Sequence, residues 1–483
     1  MRVEDKGGLR RSEKYLDAET SKDDREFPGN PADYDLNEIK TDRLKAKLLW
    51  VPSQNSKLLF SHSINHERGD TGRIYYSAVD PSQHQRIFFR DIDTDSETTS
   101  LRFDYQFNDS ISLDLLAAYM DYQWGFDSYE ATPAAQQYLD IDEESLTLDA
   151  KINFGQNNEV LNGFLGLAYF EREQDITSTG AFAYGGDDES DSKSLYGEVS
   201  YTFAEDWELI LGARLERESQ LRNFSYAPIT AQLDQSKTIF LPKIVLQYAI
   251  SDATTLGISA RRGYNAAGGA LNFAAQEYYF FDEETVNTYE ASVRSSFADG
   301  DINFSANLFY NDYDGYQALS STRFIVNMDK VTTYGAELEL IARPAGNIEL
   351  SAGLGYLHTK INDAGAGYSA ADGNELNSAP EFTANLGLKY RLNSAFTVGI
   401  SANYIDRYYG DFTNTKARVA GGYTLTRLNA SYESDNWLVS AFVNNLLDED
   451  EFVTREPASG SYPTGYVSVV DPRNIGVSVT YSF

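Results

Sequence analysis

Apolar and polar residues alternate along most of this chain with the period of a strand. At the C-terminus Ile475, Val477, Val479, Tyr481 and Phe483 fall on one face and Gly476, Ser478, Thr480 and Ser482 on the other, because a strand turns its side chains over every second residue. The same period returns upstream. Ile111, Leu113, Leu115, Ala117 and Tyr119 share a face, as do Leu209, Leu211, Ala213 and Leu215. So do Ile302, Phe304, Ala306, Leu308 and Tyr310, then Ile348, Leu350, Ala352, Leu354 and Tyr356, then Phe396, Val398, Ile400, Ala402 and Tyr404. Their alternates are largely Ser, Thr, Asn, Gly and charged residues. These segments are about as long as a tilted strand must be to cross a bilayer.

Between the strands, short and long connections take turns. Residues 52–57, 108–110, 155–159, 204–206, 251–253, 298–300, 345–347, 393–395 and 434–436 carry the Gly, Asn, Asp and Ser of tight reversals. Residues 125–140, 174–190, 263–283 and 408–422 read as long, acidic, aromatic loops. Short turns at one end and long loops at the other predict an outer-membrane barrel, with the short ends periplasmic. Tyrosine repeatedly closes the apolar stretch at its loop end, while Trp50, Trp207 and Trp437 stand beside short turns. These are the expected interfacial aromatic girdles. The predicted fold is all-β: a large antiparallel transmembrane barrel of about nineteen strands, spanning residues 41–483. First and last strands both run toward the short-turn side. Residues 1–40 read as a polar, extracellular loop segment without any period.

Composition agrees. Tyr 34 and Phe 27 against Pro 12 favour strands. Cysteine is absent, so no disulfide framework or thiolate metal site can form, and four histidines without ligand spacing argue against a histidine site. A formal charge of −33 repels nucleic acid. No apolar run is long enough for a transmembrane helix, which says nothing about a barrel. No catalytic triad, carboxylate dyad, phosphate loop or cofactor motif stands out, so an enzyme is not expected. The acidic runs Asp187-Asp188-Glu189 and Asp448-Glu449-Asp450-Glu451 lack EF-hand spacing and read as solvated loop charge. His62 and His66 read as ordinary polar strand residues.

At a finer level, 423–452, containing Asn444-Asn445-Leu446-Leu447-Asp448, resembles the penultimate hairpin of TonB-dependent outer-membrane receptors. Pro472-Arg473-Asn474 leading to Tyr481-Ser482-Phe483 is similar to their closing strand, with Tyr481 and Phe483 in the place of the signal read by the barrel-insertion machinery. Further matches are Glu284-Thr285 to Tyr289-Glu290, Phe309-Tyr310 to Tyr313 and Gln317, Tyr334 to Glu339, and Pro380 to Tyr390. The resemblance implies a barrel of about 22 strands around an N-terminal plug. It also implies import of iron chelates, cobalamin or sugars, coupled to an inner-membrane TonB complex through a short N-terminal box. The first forty residues resemble neither a signal peptide, nor that box, nor a plug. The expectation is a barrel portion lacking about three leading strands, with energy coupling only through a plug outside this sequence.

Strand phase places Arg214, Glu216, Lys243, Arg261, Glu290, Arg294, Glu337, Glu339, Lys389 and Arg427 in the lumen, solvated and paired or facing a plug. The segment 261–284 offers Arg261, Arg262, Tyr264 and the rings Tyr278, Tyr279, Phe280 and Phe281 as contacts for a small planar or anionic ligand such as a siderophore. The plainer reading is that these rings anchor the loop. Tyr408, Tyr409 and Phe412 form a second such cluster. The expected function is outer-membrane uptake of a scarce nutrient. The alternatives are a passive outer-membrane channel, since an odd-stranded barrel can close through a parallel pair, and a soluble surface β-protein.

Overall fold

The computed structural model describes residues 39–81, 84–129, 137–158, 160–180, 183–272, 277–319, 324–459 and 462–482. The N-terminal polar segment up to residue 38 and Phe483 lie outside the described residues. In chain order the strands are β1 (Ile39–Ser53), β2 (Ser56–Ser77), β3 (His84–Asn108), β4 (Ile111–Tyr129), β5 (Gln137–Phe154), β6 (Leu161–Gly180), β7 (Tyr184–Ala204) and β8 (Trp207–Tyr226). There follow β9 (Ile229–Ser251), β10 (Thr254–Asn265), β11 (Gly268–Asn272), β12 (Glu277–Phe281), β13 (Glu284–Phe297), β14 (Ile302–Leu319), β15 (Ile325–Ala345) and β16 (Ile348–Asp363). The last are β17 (Phe382–Arg391), β18 (Phe396–Ile405), β19 (Tyr423–Ser434), β20 (Trp437–Asn444), β21 (Phe452–Glu456), β22 (Tyr466–Val469) and β23 (Asn474–Tyr481).

Twenty-one of these strands form one sheet, and β11 and β12 pair apart as a hairpin. Within the large sheet β21 and β22 are short rim strands; the other nineteen form an up-and-down antiparallel wall, each paired with its sequence neighbours. Alternation fixes the register, since a slip of one residue would turn every apolar side chain into the lumen. The outward positions are widely exposed, as lipid-facing residues must be outside a bilayer: Leu211 49%, Leu308 61%, Leu386 61% and Val477 69%. Trp207 stacks on Tyr248 at 4.5 Å and Trp437 meets Tyr481 at 4.6 Å beside the short turns. Tyr289 meets Tyr310 at 6.4 Å at the opposite girdle.

On the lumen side aromatic rings lie flat on glycines of the neighbouring strand. Phe442 covers Gly476 and Tyr196 covers Gly166; an added Cβ at either glycine would come within 2.3 Å of the ring. The Asn445 of the penultimate hairpin is buried at a positive φ of 46°. It accepts from the Glu449 amide at 2.8 Å and donates to the carbonyls of Glu449 at 2.8 Å and Asp471 at 2.9 Å. Asp448 then receives the Arg473 guanidinium at 3.0 Å, fixing where β23 starts against β20.

Among the described residues β1 pairs only with β2, and β23 only with β20. The ring is joined instead at its extracellular rim, where β22 pairs with β2 through Tyr76↔Val467 and Ser77↔Tyr466. A hydroxyl contact between Ser77 and Thr464 at 2.9 Å reinforces that junction.

Two long-loop expectations need correction. Residues 174–190 are mostly strand: β6 continues to Gly180, β7 starts at Tyr184, and Asp175, Gln174 and Glu173 pair with Asp187, Asp188 and Glu189. Most of 125–140 likewise belongs to β4 and β5. Above the bilayer both faces of a strand meet water, so the apolar alternation disappears while the backbone ladder continues.

Candidate functional site

The lumen wall carries paired charges. Arg261 lies 3.2 Å from Glu290, Lys243 bonds Glu198 at 2.8 Å, and Arg214 pairs with Glu216. The Arg214 guanidinium also stands 5.7 Å from the Tyr196 ring and that of Arg427 5.5 Å from Phe442. Arg261, Glu290, Arg294, Glu337 and Glu339 line a luminal groove of about 480 Å³. Every one of these groups sits on the lumen side of its strand, and most of their charge is already answered by a neighbour.

Higher in the lumen stands a constellation that sequence reading missed. Asp188 of β7 lies 3.1 Å from both Arg172 of β6 and Arg222 of β8, and Gln174 donates to Glu143 at 2.7 Å beside them. The Nε atoms of Arg172 and Arg222, Oδ1 of Asp188 and Oε1 of Gln220 are buried without a hydrogen-bond partner. Such groups are costly to leave unmade and are suited to a polar ligand. The signal lay hidden because 174–190 had no apolar alternation to mark it as strand.

The hairpin β11–β12 crosses the mouth above this constellation. Its root is held by two amides. Gln317 donates to the carbonyls of Ala266 at 2.7 Å and Asp282 at 3.0 Å and accepts from Asn265 at 2.9 Å; Asn327 donates to Asp282 and Gly315 at 2.8 Å. Gly315 of β14 has φ of 68°, and a Cβ there would come within 2.6 Å of the Glu283 carbonyl. At the tip, the Ile325 amide donates to the Tyr279 hydroxyl at 2.6 Å, while Tyr278 stacks on Phe224 of β8 at 3.9 Å. Burial pushes the Tyr278 hydroxyl above its ordinary range, with the nearby Arg222 pulling the other way. Phe281 covers Gly268, and Phe280 remains 37% exposed. Tyr278, Tyr279 and Phe281 therefore anchor the hairpin, and Phe280 is the ring left facing solvent.

Two rings of the second cluster, Phe412 and Tyr408, belong to the scaffold. Phe412, proposed as a ligand contact, is 5% exposed in an apolar core with Met328, Val331, Ile361 and Leu376. Tyr408 donates to the Val453 carbonyl at 2.8 Å, and the Tyr409 carbonyl accepts from Ser378 at 2.8 Å. Beneath them Asp411, its side chain 2% exposed, meets Arg418 at 2.7 Å, and Arg418 reaches Glu456 at 2.7 Å. Burial raises the Asp411 carboxyl, but hydrogen bonds from Thr415, Arg418 and Thr413 outweigh it and hold the group below its ordinary value. Residues 364–381 and 406–422 thus form a packed cap over β14–β16 rather than open loops. Arg262 and Tyr264 also depart from expectation: Arg262 is on the outward face of β10, opposite to Arg261, and Tyr264 sits in a cleft of the wall.

A meandering antiparallel wall with lipid outside, charge inside and folded loops over its mouth defines an outer-membrane barrel of the receptor kind. Residues 29–446 match the family model described as TonB dependent receptor-like, beta-barrel, and the chain belongs to that family. These are transport receptors rather than enzymes. The chain is 25% identical over 317 residues to a probable TonB-dependent siderophore receptor, PiuA, of Acinetobacter baumannii, covering 61% of this chain and 41% of that protein. It is 24% identical over 303 residues to the ferric-pyoverdine BN7/BN8 receptor of Pseudomonas putida, covering 61% and 35%. Its fold matches the ferric yersiniabactin uptake receptor FyuA of Yersinia pestis with a TM-score of 0.80 at 17% identity, over 93% of this chain and 71% of that one. The chain thus spans less than half the length of the curated relatives it matches.

Proposed function

We propose that this chain forms the wall of an outer-membrane receptor that takes up a metal chelate such as an iron–siderophore complex. Transport is energised by the TonB complex acting through a plug that precedes the barrel in the full protein. The barrel-insertion machinery reads the closing strand at Tyr481 and Phe483. Relatives named for siderophore receptors support the substrate class. The observation that carries the reading is the buried, incompletely satisfied Arg172–Asp188–Arg222 set beneath Tyr278, at the extracellular end of the lumen. An anionic chelate supplies a further acceptor to two guanidinium groups that share the one Asp188 carboxylate. Arg261 and Phe280 extend this path, and Arg214, Glu216, Arg294, Glu337, Glu339 and Arg427 face the plug below.

The test is to titrate the folded barrel with a panel of ferric chelates (catecholate, hydroxamate, hydroxycarboxylate) and follow tryptophan quenching. At least one class should bind, and Arg172→Gln with Arg222→Gln should weaken it about tenfold or more. Binding unchanged in that double variant would remove the constellation from the ligand path.

A further inference from the structure

The alternation of apolar and polar residues changes sides as the strands leave the bilayer. On β5 the outward face within the bilayer is Leu146, Leu148, Ala150 and Ile152, and the lumen face is polar at Ser145, Thr147 and Asp149. Above the bilayer the outward residues are Asp140, Asp142 and Glu144, and the lumen residues are Leu139 and Ile141. β6 changes in the same way, with Glu173, Asp175 and Thr177 outside and Ile176 inside. So does β9, with Thr230, Gln232 and Asp234 outside and Ile229, Ala231 and Leu233 inside.

The registers line these inward residues up. Trp124 of β4, Ile141 of β5, Ile176 of β6, Gly186 of β7, Phe224 of β8 and Ala231 of β9 are successive partners in one row across the lumen wall. One inward step lower, about 7 Å along the strands, the row is Glu143, Gln174, Asp188 and Arg222. An apolar band therefore lies directly over the polar set. Apolar side chains turned into a water-filled mouth call for an apolar partner.

At both ends of the band the chain supplies that partner itself. The Arg90 guanidinium lies over Phe126, one row above Trp124, at 3.9 Å, and Tyr278 stacks on Phe224 at 3.9 Å. Between these ends Trp124, Ile141 and Ile176 stay partly exposed, and Gly186 beside them adds no side chain. The stretch from β4 to β7 is about 14 Å wide. With the ring faces at its ends taken, its floor is aliphatic, which suits an alkyl chain better than a stacked aryl group. Given the ligand path through Arg172 and Arg222, on which this rests, we propose that the ligand is an amphiphilic metal chelate. Its polar, metal-binding head meets Arg172 and Arg222, and an acyl arm lies above them on Ile141 and Ile176.

The test uses the full chain in lipid nanodiscs, with lipid-only discs as the blank, and equilibrium dialysis of two ferric complexes. Both are of one citrate dihydroxamate, acylated at a hydroxamate with acetyl or with octanoyl. Each added methylene is worth about fourfold when fully buried, and the wall covers the arm on one side, so the octanoyl complex should bind about tenfold tighter or more. Ile141→Ser with Ile176→Ser should bring the two affinities to within about twofold of each other. Asp175→Ser, the outward neighbour of Ile176, should keep the preference. Equal affinities in the unaltered chain, or a preference that survives the isoleucine pair, would overturn the acyl site. Equal affinities together with a lowered unfolding midpoint in the isoleucine pair would assign the band to packing within the protein. Arg172→Gln with Arg222→Gln separates the two readings. If both complexes bind equally and both weaken in that pair, the ligand path stands and the acyl arm falls. If neither complex binds, or both bind the pair as before, the path falls and the acyl arm with it.

Discussion

Leu386 and Asn385 are sequence neighbours that should respond to the same substitution in opposite ways. On β17 the outward face runs from Phe382 to Tyr390, one aromatic girdle to the other, about 27 Å of strand. Leu386 lies midway along that face and is 61% exposed, so its side chain is at the bilayer midplane. An arginine there costs about 2–4 kcal/mol, or roughly 30- to 1,000-fold in the folding equilibrium. Asn385 faces the lumen, across Gly353 from Glu339. An arginine at that position finds water and a carboxylate and should cost less than about 0.5 kcal/mol. The assay is reversible guanidinium unfolding in phospholipid vesicles, followed by tryptophan fluorescence, for Leu386→Arg and Asn385→Arg. Equal shifts of the midpoint, or a larger loss for Asn385→Arg, would refute the assignment of faces.

Other consequences are local. Tyr278→Ala removes the stack on Phe224, worth about 0.5–1.5 kcal/mol beyond the area it buries, and hydrogen exchange should rise in β11–β12 while β13 and β14 stay protected. Asn445→Ala leaves buried backbone groups of Glu449 and Asp471 unanswered and should cost about 1–3 kcal/mol. Asp448→Ala breaks a pair about half exposed on both sides and should cost under about 1 kcal/mol; the reverse order of unfolding midpoints would count against the role given to Asn445. Arg418→Met strands the Asp411 carboxylate and should loosen the cap by about 3 kcal/mol, read as proteolysis within 406–422. Because the folded Asp411 value is depressed, its contribution is complete above the unfolded value of 3.8 and fades as pH falls from there through the folded value. Cap proteolysis that rises instead between pH 5 and 7 would contradict that linkage.

What the chain discloses before folding follows from where lipid acts on it. Inside the bilayer every second residue must be apolar, so the faces of β4, β8, β14 and β18, the Trp and Tyr girdles, and the number of crossing strands could all be read directly. Arg214, Glu290 and Glu337 were placed by the same phase. Above the bilayer that constraint lapses. Residues 174–190 looked like a loop although they are paired, and so Arg172, Asp188 and Arg222 escaped notice. Phe412 shows the converse: an aromatic residue in a polar segment suggested a ligand contact, yet the cap needed a core of its own. Arg262 looked like a partner of Arg261 because both are cations, but adjacent strand residues face opposite ways.

Under the proposed function this chain is the wall of a receptor, with gate and energy coupling supplied by a plug. The most direct measurement is to express residues 1–483 behind an export signal in cells lacking their own chelate receptors. Accumulation of a radiolabelled ferric chelate is then followed with the proton gradient intact and dissipated. The expected result is slow entry that follows the external concentration and is the same in both conditions. Accumulation against a concentration gradient that disappears when the proton gradient is collapsed would contradict it.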